Sequence, residues 1–197
     1  MNFPRILKKR KGYIDRIKPF MQKSVAKVLT GQRRVGKSFL LYQLIEEILG
    51  EEPDANIIYI NLEDFAFSSL QTAEDLHSYI ISHSKEKVKN YIFIDEIQDI
   101  PGFEKVIRSL LLNEDNDIYI TGSNAKMLSG ELATYLSGRY IEFKIYSLSY
   151  SEFLEFHGLT ESETSYELYS RYGGLPYLLN LPLEDETVNE YLKSVYS

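Results

Sequence analysis

The sequence of 197 residues contains no cysteine and no long apolar run. The absence of cysteine excludes disulfides, thiolate metal sites and a cysteine nucleophile. No apolar stretch approaches the roughly 18 residues that a membrane-spanning helix needs. The basic residues near the N-terminus are not followed by the apolar segment of a signal peptide, so we expect no such peptide. A chain without cysteine suits a reducing compartment, and we expect a cytoplasmic protein without a membrane partner.

Acidic residues are almost missing from the first 40 positions. These positions hold twelve of the 22 Lys and Arg residues and one acid, Asp15, whereas 28 of the 29 acidic residues follow later. The basic segment suits a polyanion, either a nucleotide or a nucleic acid, and the alternative is a solvated positive face that balances the acidic remainder. With 44% hydrophobic and 26% charged residues, the composition is that of a folded globular chain.

Short β-rich runs alternate with stretches of helical spacing along the first three quarters of the chain. The strands are predicted at 25–30, 57–61, 91–95, 118–121 and 141–145. The helices between them are predicted at 37–49, 69–84, 103–113 and 126–136, with Gly50 ending the first. This alternation predicts βαβ units and therefore an α/β fold with a mainly parallel sheet in three layers.

The character of the sequence changes after this predicted core. We place an α/β domain at residues 1–145 and the start of a helical lid at 146–197. The lid is predicted to contain helices at 151–156, 165–172 and 188–196, with an acidic loop at 184–186. The last helix reaches the end of the chain without a stop signal, so we expect the chain to be truncated.

A glycine-rich segment fits the pattern G-x-x-x-x-G-K-[ST] between the first strand and the first long helix. Glycines at both ends of such a loop let its backbone N–H groups point inward at phosphates. Lys37 is expected to reach the β- and γ-phosphates, and the Ser38 hydroxyl to ligate Mg²⁺. We assign this segment to nucleotide binding: Gly31, Gln32, Arg33, Arg34, Val35, Gly36, Lys37, Ser38 and Phe39.

Two acidic residues end the apolar run of the third predicted strand. Asp95 is expected to hold Mg²⁺, directly or through water, and Glu96 to orient or deprotonate an attacking water. Ligand sites of open parallel sheets lie at the carboxyl ends of the strands, where this pair and the glycine-rich loop meet.

Three further residues are candidates for the same site. Ser123 and Asn124 follow the fourth predicted strand, where a hydroxyl or amide suits the γ-phosphate or its water; the alternative is a turn in which Asn124 caps a helix. Arg139 precedes the fifth strand and is a candidate arginine finger, or else a surface ion-pair residue.

Taken in order, the motifs resemble those of a large prokaryotic family of AAA-superfamily ATPases, related to the archaeal ATPases and the signal-transduction NTPases with numerous domains. The matching segments are Gln32–Ser38, Ile94-Asp95-Glu96-Ile97-Gln98, Thr121-Gly122-Ser123-Asn124, Leu136-Ser137-Gly138-Arg139-Tyr140 and Leu148-Ser149-Tyr150-Ser151-Glu152-Phe153. The resemblance covers about residues 1–180.

The resemblance implies an additional-strand, catalytic-glutamate ATPase with sheet order 5-1-4-3-2. It implies that Glu96 is the catalytic glutamate and that Ser123 and Asn124 occupy the sensor position, although Thr121 is an alternative. It implies that Arg139 acts on the nucleotide of a neighbouring subunit. The segment Tyr172-Gly173-Gly174-Leu175-Pro176 is similar to a Gly-Leu-Pro element whose proline, here Pro176, closes over adenine.

We therefore expect a protein that binds ATP with Mg²⁺ and hydrolyses it to drive a conformational or partner-binding task. Self-association through the ATPase face is expected from the trans-acting arginine. The alternatives are a switch that binds ATP without hydrolysis, a small-molecule kinase, and a nucleic-acid-binding module that uses the basic segment. Members of the family are usually longer, with a C-terminal winged-helix and nuclease-like or helical module, which also suggests truncation here.

Overall fold

A single five-stranded sheet organises the computed structural model, which describes residues 8–123 and 136–196. The strands are β1 (Ala26–Gly31), β2 (Asn56–Asn61), β3 (Asn90–Asp95), β4 (Asn116–Ser123) and β5 (Tyr140–Ile145). Their order is β2-β3-β4-β1-β5. Read from the other edge this is 5-1-4-3-2, so the predicted α/β class and strand order are confirmed.

The register of the sheet brings the strand ends together. β1 pairs with β4, β4 with β3 and β3 with β2, all in parallel. Asp95 lies opposite Asn61, and Gly31 lies opposite Ser123. The carboxyl ends of four strands therefore lie side by side at one end of the sheet, which is the end at which parallel sheets carry ligand sites.

Helices flank the sheet and follow it in sequence. Among the described residues they are α1 (Lys11–Ile17), α2 (Lys37–Glu51), α3 (Ala73–His83), α4 (Phe103–Leu110), α5 (Tyr150–His157), α6 (Glu163–Tyr172) and α7 (Asp185–Tyr196). Short 3-10 turns lie at Lys18–Phe20, Phe65–Phe67, Ile97–Asp99 and Pro176–Asn180. Most of the helix predicted at 126–136 lies outside the described residues.

Several predicted helix boundaries are wrong, since α3 begins at Ala73 and not at 69, and α4 ends at Leu110 and not at 113. Helix α2 continues through Gly50 to Glu51, because the helix is limited by Pro53, which disfavours helical backbone at the residue before it. The predicted acidic loop at 184–186 is partly helical, since Asp185 and Glu186 form the first turn of α7. Carboxylates are favourable there because they face the positive end of the helix dipole.

The core consists of aliphatic side chains from the strands and from helices α3 and α4. All six residues of β1 and all six of β3 are buried. The aromatic rings of Phe93 and Tyr119, on the neighbouring strands β3 and β4, stack with their centroids 4.5 Å apart. Burying each large apolar side chain contributes about 1.5–3 kcal/mol, so these strands form a rigid base for the residues at their ends.

The basic N-terminal segment packs along helix α2. The backbone N–H of Arg10 donates to Gln43 at 3.0 Å. Lys9 and Lys18 both form ion pairs with Glu47, at 2.8 and 2.7 Å, and these contacts lower the pKa of Glu47 to about 2. Part of the positive charge is thus neutralised within the protein.

The chain divides into two compact units. The larger unit comprises the chain up to Gly31 together with Lys37–Lys144, and the smaller comprises Gln32–Gly36 and the chain from Ile145 onward. Within the smaller unit, the N–H of Leu148 donates to the carbonyl of Gly174 at 2.7 Å. Among the helices of the described residues, none is both long and apolar enough to cross a membrane.

Candidate functional site

The glycine-rich loop between β1 and α2 has a backbone conformation that its sequence permits. Gly36 has a φ of 95° and Arg34 a φ of 66°, both in the left-handed region. Side chains are strained there, so glycine is required at position 36, whereas Arg34 adopts the conformation at an energetic cost. Left-handed residues within a turn are a feature of backbone anion-binding concavities, so this conformation is compatible with an anion site.

Lys37 begins helix α2 and its ammonium group is buried. Its side chain is only 4% exposed. The Nζ atom donates to the carbonyl oxygen of Gly31 at 3.2 Å and lies 3.6 Å from Oε1 of Glu96. A buried ammonium needs partners of this kind to offset the loss of hydration. The geometry places a positive charge between the end of β1 and the acidic end of β3.

Asp95 ends β3 and is buried among hydroxyl groups. The Thr121 hydroxyl donates to its Oδ1, and the Ser38 hydroxyl also forms a hydrogen bond with this carboxylate. The Tyr59 hydroxyl lies 3.4 Å from Oδ2 and 3.0 Å from the Tyr42 hydroxyl. Burial raises the pKa of Asp95, and the Ser38 and Thr121 hydroxyls act in the opposite direction.

These oxygen atoms fit a small divalent cation. Ser38 and Asp95 supply a hydroxyl and a carboxylate that already touch, and Mg²⁺ takes such oxygen ligands from a few protein groups while keeping several waters. Within residues 8–123 and 136–196, no three His, Asp or Glu side chains gather into a metal-binding cluster. A cation here would therefore complete its shell with water or substrate oxygens.

Glu96 follows Asp95 with a left-handed backbone, φ 56° and ψ 48°. Its N–H donates to Oγ1 of Thr121 at 3.0 Å, which fixes this conformation. Its carboxylate is held at both oxygens, since Lys37 lies 3.6 Å from Oε1 and the Gln98 amide donates to Oε2 at 2.6 Å. Backbone strain of about 1–3 kcal/mol persists only where the surroundings enforce it.

Arg139 does not join these residues in its own chain. It is exposed, and its carbonyl oxygen accepts from the N–H of Ala26 at 2.9 Å. Ala26 begins β1 whereas Gly31 ends it, and a strand of this length spans roughly 16–20 Å. Arg139 therefore lies where β1 begins, at the end of the sheet opposite the one where Asp95 lies.

The remaining predicted residues are placed as follows. Gln32, Arg33 and Arg34 are exposed and Val35 is buried. Phe39 is 47% exposed and meets Tyr42 edge to face. Ser123 ends β4, and Asn124 lies outside the described residues.

Residues 32–36 pack with the C-terminal part of the smaller unit. A methyl group built on Gly36 would lie 3.8 Å from Cγ of Pro176. The guanidinium of Arg34 lies 5.5 Å from the ring centroid of Tyr191 in α7. A cavity of about 300 Å³ within this unit is lined by Gln32, Ser147, Ser170, Arg171, Tyr172, Gly173, Gly174, Leu175 and Leu192. Pro176 is thus a neighbour of the loop.

Sequence reasoning missed three contributors. Tyr59 and Tyr42 extend the contacts of Asp95, and Gln98 holds Glu96. Thr121 was an alternative for the sensor position, and it bridges Asp95 and the backbone of Glu96. A signal existed for Gln98, because a polar residue two positions after paired acids lies within one turn of them.

Comparison with known proteins gives consistent matches. An uncharacterized protein of Haemophilus influenzae is 39% identical over 194 residues, covering 94% of this chain and 47% of that protein. An uncharacterized protein of Methanocaldococcus jannaschii is 31% identical over 185 residues, covering 86% of this chain and 40% of that protein. The chain thus spans less than half the length of these relatives.

A solved structure shares the fold. The Aeropyrum pernix ORC1 protein, solved in complex with DNA, superimposes with a TM-score of 0.58 at 13% identity, covering 98% of this chain and 66% of that one. A family model described as an AAA domain matches residues 23–154. The match includes β1, the glycine-rich loop, Asp95 and Glu96. The chain belongs to this AAA domain family.

Proposed function

We propose that the protein binds ATP with Mg²⁺ and hydrolyses it to ADP and phosphate. The observation that carries the proposal is the meeting of Lys37, Asp95 and Glu96 where β3 ends, together with the left-handed backbone of Arg34 and Gly36 in the loop that precedes Lys37 in the sequence. Phosphoryl transfer to water uses a positively charged side chain that binds the phosphates, a carboxylate that ligates the metal ion, and a second carboxylate that orients the water.

Each residue has a role that follows from its position. The loop N–H groups and Lys37 would bind the phosphates. Ser38 and Asp95 would hold Mg²⁺, which neutralises charge on the phosphate oxygens when bound. Glu96 would align the water that attacks the γ-phosphorus and take its proton. Gly36 and its neighbour Pro176 would contact the bound nucleotide.

The contact between Lys37 and Glu96 suggests how binding prepares the reaction. In this structure the ammonium lies 3.6 Å from the Glu96 carboxylate. The phosphates of ATP are stronger partners for the lysine because they carry more negative charge. When Lys37 turns to them, the Glu96 oxygen that faced it becomes free to accept from water.

Arg139 would act between subunits. It is exposed and lies at the far edge of the sheet from its own Asp95, so it would stabilise the γ-phosphate charge of a neighbouring copy. The proposal therefore includes self-association.

The test is single-turnover hydrolysis of ATP by a high concentration of the protein. We expect Glu96→Gln to bind Mg-ATP with near wild-type affinity but to slow hydrolysis by roughly 10²–10⁴-fold, the usual contribution of a general base. The exposed Glu86 offers a matched control, and Glu86→Gln is expected to keep the wild-type rate. Hydrolysis at the wild-type rate by Glu96→Gln would move the catalytic role to another residue.

A further inference from the structure

The amide of Gln98 is bonded to the carboxylate that the proposed reaction uses. Its Nε2 atom donates to Oε2 of Glu96 at 2.6 Å. The other oxygen, Oε1, faces Lys37 at 3.6 Å. The two oxygens of one carboxylate thus have different partners, one of which is also the proposed phosphate-binding lysine.

The backbone between the two residues is fixed, so this contact is built into the fold. Glu96 is held in its left-handed conformation by Thr121. The N–H of Asp99 donates to the carbonyl oxygen of Glu96 at 3.2 Å, and the fully buried Ile97 anchors the intervening turn. Hydrogen bonds and packing thus hold the turn that places Gln98 beside the Glu96 side chain.

The two contacts differ in what ATP would do to them. Lys37 would leave Glu96 for the phosphates, whereas Gln98 lies on the same turn as Glu96 and keeps its position. A short hydrogen bond from an amide to a carboxylate is charge-assisted and strong. The Glu96 side chain, which has three rotatable bonds, would otherwise lose its orientation once the lysine departs.

We infer that Gln98 is the positioning residue of the hydrolysis reaction: its amide keeps the Glu96 carboxylate aimed at the attacking water after Lys37 has turned to the phosphates. The inference rests on the proposed function, in which Glu96 aligns that water. Gln98 itself touches neither ATP nor water in this role. It acts only through Glu96, and misplacing a reacting group by about 1 Å costs on the order of 10²-fold in rate.

The experiment compares Gln98→Leu with wild type in single-turnover ATP hydrolysis, with Mg-ATP affinity measured by calorimetry. Leucine is close in size to glutamine but has no donor. We expect hydrolysis to slow by roughly 10- to 100-fold while ATP affinity changes by less than about twofold. The exposed Gln71, which donates to the carbonyl oxygen of Ser68, provides the control, and Gln71→Leu should leave both quantities unchanged. Gln98→Ala repeats the measurement if the leucine variant does not fold.

A double variant separates positioning from a structural role. In the Glu96→Gln background, adding Gln98→Leu should not change the residual rate, because the group that Gln98 positions is no longer a carboxylate. A further drop of tenfold or more in that background, or a parallel loss of ATP affinity in the single variant, would make Gln98 structural and overturn the inference.

The outcomes also distinguish this inference from the proposed function. If Glu96→Gln stops hydrolysis while Gln98→Leu keeps the wild-type rate, only the inference fails. If the wild-type chain binds ATP without hydrolysing it, or Glu96→Gln is fully active, the proposed function fails and the inference falls with it.

Discussion

At the scale of single residues, Lys37 is a buried side chain of the site with a charge that its surroundings must compensate. It is buried and bonded to the carbonyl oxygen of Gly31, with Glu96 as its charge partner. Neither partner neutralises an ammonium as fully as a triphosphate does. A bound phosphate group would therefore stabilise the lysine ammonium more than its present partners do.

We expect Lys37→Ala to weaken Mg-ATP binding by a factor of roughly 10 to 150, because each hydrogen bond to a charged group contributes about 1.5–3 kcal/mol. Calorimetric titration measures the change. Lys105 is an exposed lysine of α4, and Lys105→Ala should bind like wild type. Equal affinity of Lys37→Ala and wild type would show that the glycine-rich loop is not a phosphate site.

Contacts between side chains on neighbouring strands could not be predicted from the sequence. That Asp95, Glu96 and Lys37 lie close together could be predicted because each belongs to a local sequence pattern. The contact of Thr121 with Asp95 could not be predicted in this way, because its hydroxyl bonds to Asp95 on the neighbouring strand. Tyr59 is similar, as it contacts Asp95 from β2. Such contacts depend on the order of the strands in the sheet and on their register, and neither can be deduced from the residues of one sequence alone.

At the scale of elements, the strands could be predicted because their apolar runs are continuous. The observed strands β2, β3 and β4 begin one or two residues earlier than predicted, and each begins with asparagine, which is disfavoured in strands. Asn56, Asn90 and Asn116 lie opposite one another in the register. The side chains of Asn56 and Asn90 are bonded at 2.7 Å, so cross-strand bonding outweighs local preference.

Two glycines, one in a helix and one in a loop, should respond oppositely to substitution by alanine. A methyl group on Gly174 would overlap the backbone carbonyl of Leu148, whereas one on Gly50, in helix α2, meets no heavy atom of the described residues within 4 Å. Gly174→Ala should lower the free energy of unfolding by about 1–3 kcal/mol. Gly50→Ala should raise it by roughly 0.5–1 kcal/mol, because alanine loses less backbone entropy in a helix. Urea denaturation followed by circular dichroism measures both, and a Gly174→Ala variant as stable as wild type would contradict the close packing.

At the scale of the whole molecule, we expect the position of Arg139 to set how ATP turnover depends on protein concentration. The residue is exposed just before β5, beside the amino end of β1, so under the proposed function its charge acts on the nucleotide of another copy. An arginine supplied by another subunit accelerates phosphoryl transfer by roughly 10³–10⁵-fold. A dilute sample of this chain, which spans less than half the length of its relatives, is therefore expected to bind Mg-ATP but hydrolyse it slowly.

Turnover per subunit should then rise with protein concentration, because only associated copies place Arg139 at a neighbour's nucleotide. Arg139→Ala should abolish this rise while leaving ATP affinity unchanged, whereas Arg108→Ala, at an exposed position of α4, should behave like wild type. Mixing supplies the sharper measurement: Arg139→Ala keeps an intact site and Glu96→Gln keeps an intact arginine, so combining the two inactive variants should restore part of the activity. A rate that is independent of concentration and of Arg139, with no recovery on mixing, would mean that each chain completes its own site and that the arginine acts elsewhere.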